Sequence, residues 1–234
     1  MNAYLELLRM NYWYRNVTVI IGIVFAIFVF NLSFSQGIVI NSIVITILTC
    51  LISSASYTLN AITDIDFDKK HPLKSQRPLP SKRIKIVGAV VTMFFLLSIS
   101  LLLSYLFFSL ETTAYLFLLF AAAMLYNIKP IRLKDIPFLD VLSESINNPI
   151  RFLIGWSVLT NKFPGIFILL LVWFSAGFLM TKKRLEELTK FKKKTVRYRK
   201  IFEYYSKKSL ETAMRVYLCI SLVLIGIILL FGIL

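Results

Sequence analysis

Long apolar runs separated by short polar segments make up most of the sequence. A helix of about 20 apolar residues is long enough to cross the hydrocarbon core of a bilayer. About seven such runs occur, which predicts an all-α protein in the form of a polytopic bundle of transmembrane helices. The expected spans are about Val17–Leu32, Ile38–Asn60, Ile84–Phe108, Thr112–Tyr126, Pro137–Leu159, Phe163–Met180 and Ala213–Leu234.

The composition agrees with a membrane protein. Hydrophobic residues make up 58% of the 234 residues, and the mean hydropathy is +0.75, which is far too apolar for an ordinary soluble domain. Both cysteines lie inside apolar runs, so neither a disulfide framework nor a cysteine metal site is indicated. Residues 1–16 have no cleavage-site pattern, and we expect them to be a retained amphipathic segment at the membrane interface.

The distribution of charge predicts the orientation in the membrane. A net charge of +15 would suit a nucleic-acid-binding protein. However, almost all of the 27 lysines and arginines precede the first span or lie in, or at the ends of, the loops after spans two, four and six. The positive-inside rule therefore places the N-terminus and these three loops in the cytoplasm. We expect a multi-pass protein of the cell membrane, with the lipid bilayer and not nucleic acid as its partner.

The end of the second span carries the clearest chemical signal. Asn60, Asp64 and Asp68 are spaced four residues apart, so a helix would place them on one face. Two carboxylates and an amide can hold Mg2+, which usually completes its coordination with water and substrate phosphates. Cationic side chains follow at once, so the segment predicts a diphosphate site. The alternative is a solvated cytoplasmic loop in which these residues hold no ligand. The cationic or titratable residues are Lys69, Lys70, His71, Lys74 and Arg77.

The fifth span is unusual because it carries polar and ionisable residues along one stripe. Ionisable groups at membrane depth are costly and generally face a cavity or each other. Two readings remain open: Glu144 and Arg151 form a structural pair, or the stripe lines a substrate site. Either reading predicts a polar interior. The members of the stripe are Asp140, Glu144, Asn147, Asn148 and Arg151.

These motifs resemble the UbiA superfamily of intramembrane prenyltransferases. The resemblance rests on the Asn-x3-Asp-x3-Asp pattern after the second span, on Tyr126 and Lys129 after the fourth, and on basic loops on one side. It is closer to the branch that makes polyprenyl-phosphoryl phosphoribose, the decaprenyl-phosphate phosphoribosyltransferases, and covers most of the chain. The segments that resemble this branch are Trp13 to Asn16, His71-Pro72-x-Lys74-x2-Arg77-Pro78, Leu139-Asp140-Val141, Arg151 and Lys182-Lys183-Arg184-x-Glu186.

The sequence departs from the superfamily pattern in two ways. Prenyl-transferring members resemble one another in having a second Asp-rich motif after the sixth span, whereas residues 181–208 contain no Asp. This departure favours the phosphoribosyl branch. The superfamily is also similar to a nine-helix bundle, compared with about seven spans here. We therefore expect a single UbiA-like domain over residues 1–234 that is either a shortened form or lacks the last two family helices.

The resemblance implies Mg2+-dependent transfer of 5-phosphoribose from phosphoribosyl diphosphate to a polyprenyl phosphate at the cytoplasmic membrane face. Asp64, Asp68 and Asn60 would be the catalytic and metal-binding residues. Asp66 would assist them or contact ribose. Lys74, Arg77, Lys129 and Arg132 would neutralise the departing diphosphate. The residues expected to reach the acceptor or another bound phosphate are Arg15, Tyr126, Arg151, Lys182, Lys183 and Arg184.

Two other functions are consistent with the sequence. The nearer one is a prenyltransferase that moves an isoprenoid from its diphosphate to an aromatic ring or a lipid alcohol. The second is a transporter or channel, for which a polar fifth span would be suitable. The sequence lacks the paired Gly/Pro-interrupted spans that often mark transporter repeats.

Overall fold

The part of the chain that its computed structural model describes, residues 2–191 and 200–231, is mostly helical and contains no strand. The all-α prediction is therefore confirmed. Short 3-10 segments occur at Met10–Asn16, Lys74–Gln76, Leu133–Asp135 and Lys200–Glu203. The α-helices are α1 (Ala3–Leu8), α2 (Val17–Val29), α3 (Gln36–Thr63), α4 (Ile65–Lys69), α5 (Ile86–Phe107), α6 (Leu110–Asn127), α7 (Leu139–Ser145), α8 (Asn147–Ser157), α9 (Ile166–Phe191) and α10 (Lys207–Phe231).

Six helical stretches within the described ranges are long and apolar enough to cross a membrane. This confirms a multi-pass membrane protein. The number of spans expected from the sequence, about seven, is not confirmed. The first stretch also begins earlier than expected, because α1 and the 3-10 segment continue into α2. The six stretches are Ala3–Val29, Gln36–Thr63, Ile86–Phe107, Leu110–Asn127, Ile166–Lys190 and Lys207–Phe231.

The expected fifth span, Pro137–Leu159, consists of the two short helices α7 and α8, with Ile146 between them. Proline supplies no backbone N–H, so Pro149 cannot donate to the carbonyl of Ser145 four residues earlier. The side-chain amide of Asn148 donates to that carbonyl instead, at 3.2 Å, and the amide of Asn147 donates to the carbonyl of Glu144 at 3.0 Å. The asparagines of the polar stripe therefore satisfy backbone groups where the helix is interrupted.

The chain folds as two compact units. The first comprises Met1–Met124 and Ile150–Phe163, and the second comprises Leu125–Pro149 and Pro164–Leu234. In the first unit, α3 packs against α5, and α1 and the first 3-10 segment also pack on α3. A core cluster joins the end of α3 to α1, the following loop and the start of α5. Its buried members are Leu7, Ala61, Leu79, Ile84 and Ala89.

Helices α2 and α8 cross at two glycines in the first unit. A Cβ atom built on Gly22 would lie 2.2 Å from the carbonyl oxygen of Phe152. A Cβ atom on Gly155 would lie 2.0 Å from the carbonyl oxygen of Val19. Such contacts are possible only because glycine lacks a side chain, and small residues commonly allow close helix packing in membranes. The two backbones are therefore in direct contact at this crossing.

In the second unit, α9 packs along α10, and α7 packs against α9. The sequence placed the end of the sixth span at Met180 and a polar loop after it, but α9 continues to Phe191. The loop prediction is therefore wrong for residues 181–191. Residues 192–199 of the predicted loop, and residues 232–234 of the last span, lie outside the described residues. Lys, Arg, Leu and Glu favour helices, and Arg184 pairs with Glu187 one turn later, so the helix extends into the polar segment.

The glycine crossing gives a prediction for stability. Gly22→Ala and Gly155→Ala should each destabilise the protein, because the added methyl group would overlap backbone atoms that cannot move without separating α2 from α8. Overpacking of this kind typically costs about 1–3 kcal/mol. Thermal unfolding in detergent would measure the effect. Gly226→Ala on α10 is a matched control, since no atom lies within 4 Å of its added Cβ. An unchanged midpoint for both crossing variants would contradict the prediction.

Candidate functional site

Asn60, Asp64 and Asp68 follow one another at intervals of one helical turn, as their spacing predicts. Asp64 lies between α3 and α4 with φ −105° and ψ 7°, so the regular helix is interrupted there. Nevertheless, its N–H donates to the Asn60 carbonyl at 3.1 Å, and the Asp68 N–H donates to the Asp64 carbonyl at 2.8 Å. This backbone pattern keeps the three residues in one column, which we call the acidic column.

Asp68 is the buried member of the acidic column, with only 4% of its surface exposed. Arg77 Nη1 donates to its Oδ2 at 2.8 Å, and Lys74 Nζ lies 4.0 Å from its Oδ1. Both cations come from the loop that follows α4, so the structure brings together the predicted acids and two of the predicted cations. Asp66 is in a different environment: its side chain is exposed and pairs with Lys69 at 3.3 Å.

His71 shapes the loop that carries these cations. Its ring is buried, and Nδ1 accepts hydrogen bonds from the backbone N–H groups of Leu73 at 3.1 Å and Lys74 at 3.3 Å. Burial lowers the pKa of the imidazole, and the positive charges of Lys74 and Arg77 lower it further, with Asp68 acting in the opposite direction. The neutral ring therefore acts as an acceptor that fixes the turn leading to Arg77.

The residues of the acidic column suit a Mg2+ site in which the protein supplies only a few of the ligands. No group of three or more His, Cys, Asp or Glu side chains converges on one point within residues 2–191 and 200–231. Mg2+ does not need such a group, because one or two carboxylates suffice when phosphate and water oxygens complete the octahedron. The oxygens of Asp64, Asp68 and Asn60 fit this requirement. Asp68 Oδ1 lies 4.0 Å from Lys74 Nζ, beyond hydrogen-bonding distance.

A buried polar cluster also holds Arg151 in the first unit. Asn16 is 1% exposed, and its Oδ1 accepts from Arg151 Nε at 2.8 Å and from Ser53 Oγ at 3.0 Å. Arg15, the predicted phosphate-binding residue beside it, places its guanidinium carbon 5.0 Å from the centre of the Tyr12 ring. The contact between Asn16 and Arg151 was not predicted. The only sequence signal for it was an asparagine at the start of an apolar helix.

Arg184 lies at the centre of an acidic cluster in the second unit and is completely buried. Its Nε donates to Asp140 Oδ2 at 2.8 Å, its Nη2 to Glu144 Oε2 at 2.6 Å, and its Nη1 to Glu187 Oε2 at 3.4 Å. We call these four residues the Arg184 cluster. The structure pairs Glu144 with Arg184, which was not predicted as its partner and lies on a helical segment that the sequence predicted as loop.

Two tyrosines complete the Arg184 cluster. Tyr126 donates to Glu144 Oε2 at 3.2 Å. Tyr205 donates to Asp140 and accepts from the N–H of Phe138 at 2.9 Å. Burial and the Asp140 charge raise the pKa of Tyr205 well above its ordinary value, so it remains a donor. Sequence reasoning included Tyr126 but missed Tyr205, which lies in the polar segment before α10 and carries no distinctive spacing.

The remaining predicted cations differ in their surroundings. Lys183 Nζ lies 3.9 Å from Glu144 Oε1 at the edge of the Arg184 cluster, whereas Lys182 and Lys129 are exposed. Arg132 is buried with φ 34°, an uncommon conformation for a bulky residue, and its Nε lies 2.8 Å from Asp135. Sequence reasoning also missed buried Lys134, whose Nζ donates to Asn127 Oδ1 at 2.8 Å.

Comparison with known proteins agrees with this fold. The model of the UbiA prenyltransferase family matches residues 17–234. The chain belongs to this family. It is therefore a membrane-embedded enzyme of the transferase class, which disfavours the transporter or channel reading. No curated protein sequence matches the chain closely enough to count as a relative.

Solved structures share the fold of this UbiA-family protein. A UbiA homologue from Archaeoglobus fulgidus bound to GPP and Mg2+ has a TM-score of 0.80 at 20% identity, over 98% of this chain and 78% of that one. The same homologue bound to DMAPP and Mg2+ has a TM-score of 0.81 at 19% identity, with the same coverage. A structure of digeranylgeranylglyceryl phosphate synthase has a TM-score of 0.73 at 24% identity, over 99% and 78% of the two chains.

His71 gives a prediction for pH dependence. The unfolded chain titrates this imidazole near its ordinary pKa of about 6.5. The folded protein takes up the proton only at lower pH, so stability should fall as the pH decreases through about 6.5 and below. His71→Asn should reduce this dependence, because the amide oxygen can accept the same backbone N–H groups without titrating. Unfolding midpoints at about pH 7.5 and about pH 5.5 would measure the difference. Identical shifts in both proteins would contradict the assignment.

Proposed function

We propose that the protein transfers 5-phosphoribose from phosphoribosyl diphosphate to a polyprenyl phosphate in a Mg2+-dependent reaction. The observation that carries this proposal is the acidic column, in which Asp64, Asp68 and Asn60 are stacked one turn apart beside Arg77 and Lys74. Mg2+ held by these oxygens would neutralise charge on a diphosphate. The proposal is supported by the family, since a UbiA homologue from Archaeoglobus fulgidus with the same fold has been solved with GPP or DMAPP and Mg2+.

The donor would be held by its diphosphate at the acidic column. Asp66 would assist there or contact ribose. Arg77 and Lys74 would donate to phosphoryl oxygens as the bond from ribose C1 to the diphosphate oxygen breaks and the diphosphate leaves with the bonding electrons. Preorganised cations aimed at developing negative charge are commonly a large term in catalysis. Lys129 and Arg132, which belong to the second unit, are proposed to add positive charge for the leaving group on the basis of the resemblance alone.

The acceptor would be a polyprenyl phosphate, whose phosphate oxygen forms the new bond to ribose C1. This group is already anionic, so its attack requires no strong base. In the first unit the proposed phosphate-binding residues are Arg15 and Arg151. In the second unit they are Tyr126, Lys182 and Lys183. Arg184 is enclosed by carboxylates in the Arg184 cluster, and we assign it the role of holding Glu144 and Asp140 in position.

The charges of the second unit favour phosphoribosyl transfer over prenyl transfer. The segment from residue 181 to residue 208 contains no Asp, and three carboxylates of the unit, including Glu187 of that segment, converge on Arg184. Arg184 neutralises these acids, which makes them poor candidates for the ligands of a second divalent ion. One metal site supplemented by cations suits a phosphoribosyl donor. The rival proposal is transfer of an isoprenoid from its diphosphate to an aromatic or lipid-alcohol acceptor. It agrees with the description of the family as prenyltransferases.

The proposed location of the reaction is the cytoplasmic face of the cell membrane. The distribution of lysine and arginine favours a cytoplasmic N-terminus by the positive-inside rule. The acidic column then lies where a water-soluble diphosphate donor reaches it from the cytosol. The acceptor's lipid tail remains in the bilayer.

The acidic column gives the first test of this proposal. Asp64→Asn and Asp68→Asn should each reduce Mg2+-dependent turnover by about a hundredfold or more, because each removes a charged oxygen ligand from the diphosphate site. Glu211→Gln, which alters an exposed pair with Lys207, is the control and should retain turnover. Since Asp68→Asn also leaves Arg77 without its carboxylate, unfolding midpoints should accompany the rates. Full Mg2+-dependent activity in both aspartate variants would refute the proposed metal site.

The identity of the donor gives the second test. The purified enzyme in lipid nanodiscs should transfer label from phosphoribosyl diphosphate to a polyprenyl phosphate, with release of diphosphate. It should not transfer label from an isoprenoid diphosphate to an aromatic or lipid-alcohol acceptor. The opposite pattern would replace the proposal with its rival. Label transfer in both assays would show that the donor site does not discriminate between the two classes.

A further inference from the structure

Arg9 has an uncommon backbone conformation close to the acidic column. It links α1 to the first 3-10 segment with φ 50° and ψ 45°, in the left-handed region that bulky residues rarely adopt. Such conformations persist where the surrounding structure enforces them, and they occur frequently at functional sites. The backbone N–H of Arg9 donates to the carbonyl of Glu6, so the turn itself is hydrogen-bonded.

The side chain of Arg9 points into the first unit. Its guanidinium carbon lies 5.8 Å from the centre of the Tyr57 ring. Tyr57 lies on α3 two turns before Asp64, on the same side of the helix. Arg9 also interacts electrostatically with Asp68 and Arg77. Its contact with Tyr57 therefore places the guanidinium on the side of α3 that carries the acidic column.

Arg9 carries a buried donor that remains unsatisfied. Its Nη2 atom is buried and has no hydrogen-bond partner among the described residues. Buried polar atoms in native proteins almost always have a partner, so an exception requires an explanation. The acidic residue on its own helix, Glu6, is bound to Arg83 at 2.8 Å. The nearby Asp68 already accepts from Arg77 at 2.8 Å.

The charges around Asp68 indicate what the missing partner is. Arg77, Lys74 and Arg9 all act on this one buried carboxylate, so positive charge is in excess beside it. A guanidinium donates strong, directional hydrogen bonds to phosphate oxygens. An anion with phosphoryl oxygens would satisfy Nη2 and balance the charge at the same time.

We propose that Arg9 binds a phosphoryl group of the diphosphate substrate, in a subsite that functions without a metal ion. The inference rests on the proposed function in taking the substrate to be a diphosphate. It adds that the anion is held by Arg9 and Arg77 even when Mg2+ is absent. The phosphate of an anionic lipid headgroup offers the same chemistry, and the experiment separates these two sources.

The test measures binding of inorganic pyrophosphate to the full chain by calorimetry, in neutral detergent free of anionic lipid. Wild-type protein should bind pyrophosphate in the presence of EDTA, and more tightly with Mg2+. Arg9→Gln should weaken the EDTA-insensitive binding by about tenfold or more, in line with the loss of a charge-assisted hydrogen bond. Arg83→Gln is the matched control and should bind as the wild type does, because Arg83 pairs with Glu6 outside the acidic column.

Three outcomes would overturn the inference. The first is wild-type protein that binds pyrophosphate only with Mg2+, which leaves the proposed function intact. The second is Arg9→Gln protein that binds as tightly as wild type in EDTA. The third is a difference between wild-type and Arg9→Gln protein that appears only when the measurement is repeated in nanodiscs with anionic lipid. That result would assign Arg9 to a lipid headgroup. If wild-type protein binds no pyrophosphate even with Mg2+, the proposed function fails as well.

Arg9→Lys keeps the experiment decisive if the glutamine variant does not fold. Lysine retains the charge but cannot reproduce the planar fork of the guanidinium, so affinity in EDTA should fall by about threefold or more. The unfolding midpoint of each variant without ligand establishes that it is folded. Affinity equal to that of wild type in a folded Arg9→Lys protein would refute a role for the guanidinium geometry.

Discussion

A charged side chain buried in an apolar helical protein is costly without compensating partners, and this cost determines how the acidic column and the Arg184 cluster are built. Transfer of an isolated charge out of water costs several kcal/mol even after the protein relaxes. Asp68 is compensated by Arg77 and Lys74, and Arg184 is compensated by Asp140, Glu144 and Glu187. The local chain, including the 3-10 segment at Lys74–Gln76 and the extended end of α9, places these partners.

The two regions have opposite balances of charge, and this difference determines what each can bind. Around Asp68 the cations exceed the carboxylate, so the region is suited to an anion. Around Arg184 the carboxylates exceed the arginine, with Lys183 at their edge. Removal of one member from either region would leave a buried charge uncompensated, which is usually more damaging than loss of an exposed pair. Activity and folding are therefore coupled at these residues, and rates must be read together with stability.

The parts of the structure that follow from local spacing were accessible from the sequence. The apolar runs predicted an all-α membrane protein, and the interval of four predicted the stacking of Asn60, Asp64 and Asp68. The contacts that join distant segments were not accessible. Asn16 reaches Arg151 across 135 residues of sequence, and Tyr205 reaches Asp140 across 65. The end of α9 was also predicted too early, because it was placed where the charged residues begin. A polar segment of good helix formers can continue a transmembrane helix beyond its apolar part.

The contact between α2 and α8 has a consequence for how substrate preference could change. Asn16 lies just before α2, and Arg151 lies one turn before Gly155, so the side-chain contact and the glycine crossing belong to the same pair of elements. Any substitution that altered the separation of these two backbones would displace the guanidinium without touching it. Under the proposed role of Arg151 in phosphate binding, selectivity for one headgroup over another would therefore be tuned from positions that never meet the headgroup. A search for determinants of specificity limited to residues in direct contact with ligand would overlook them.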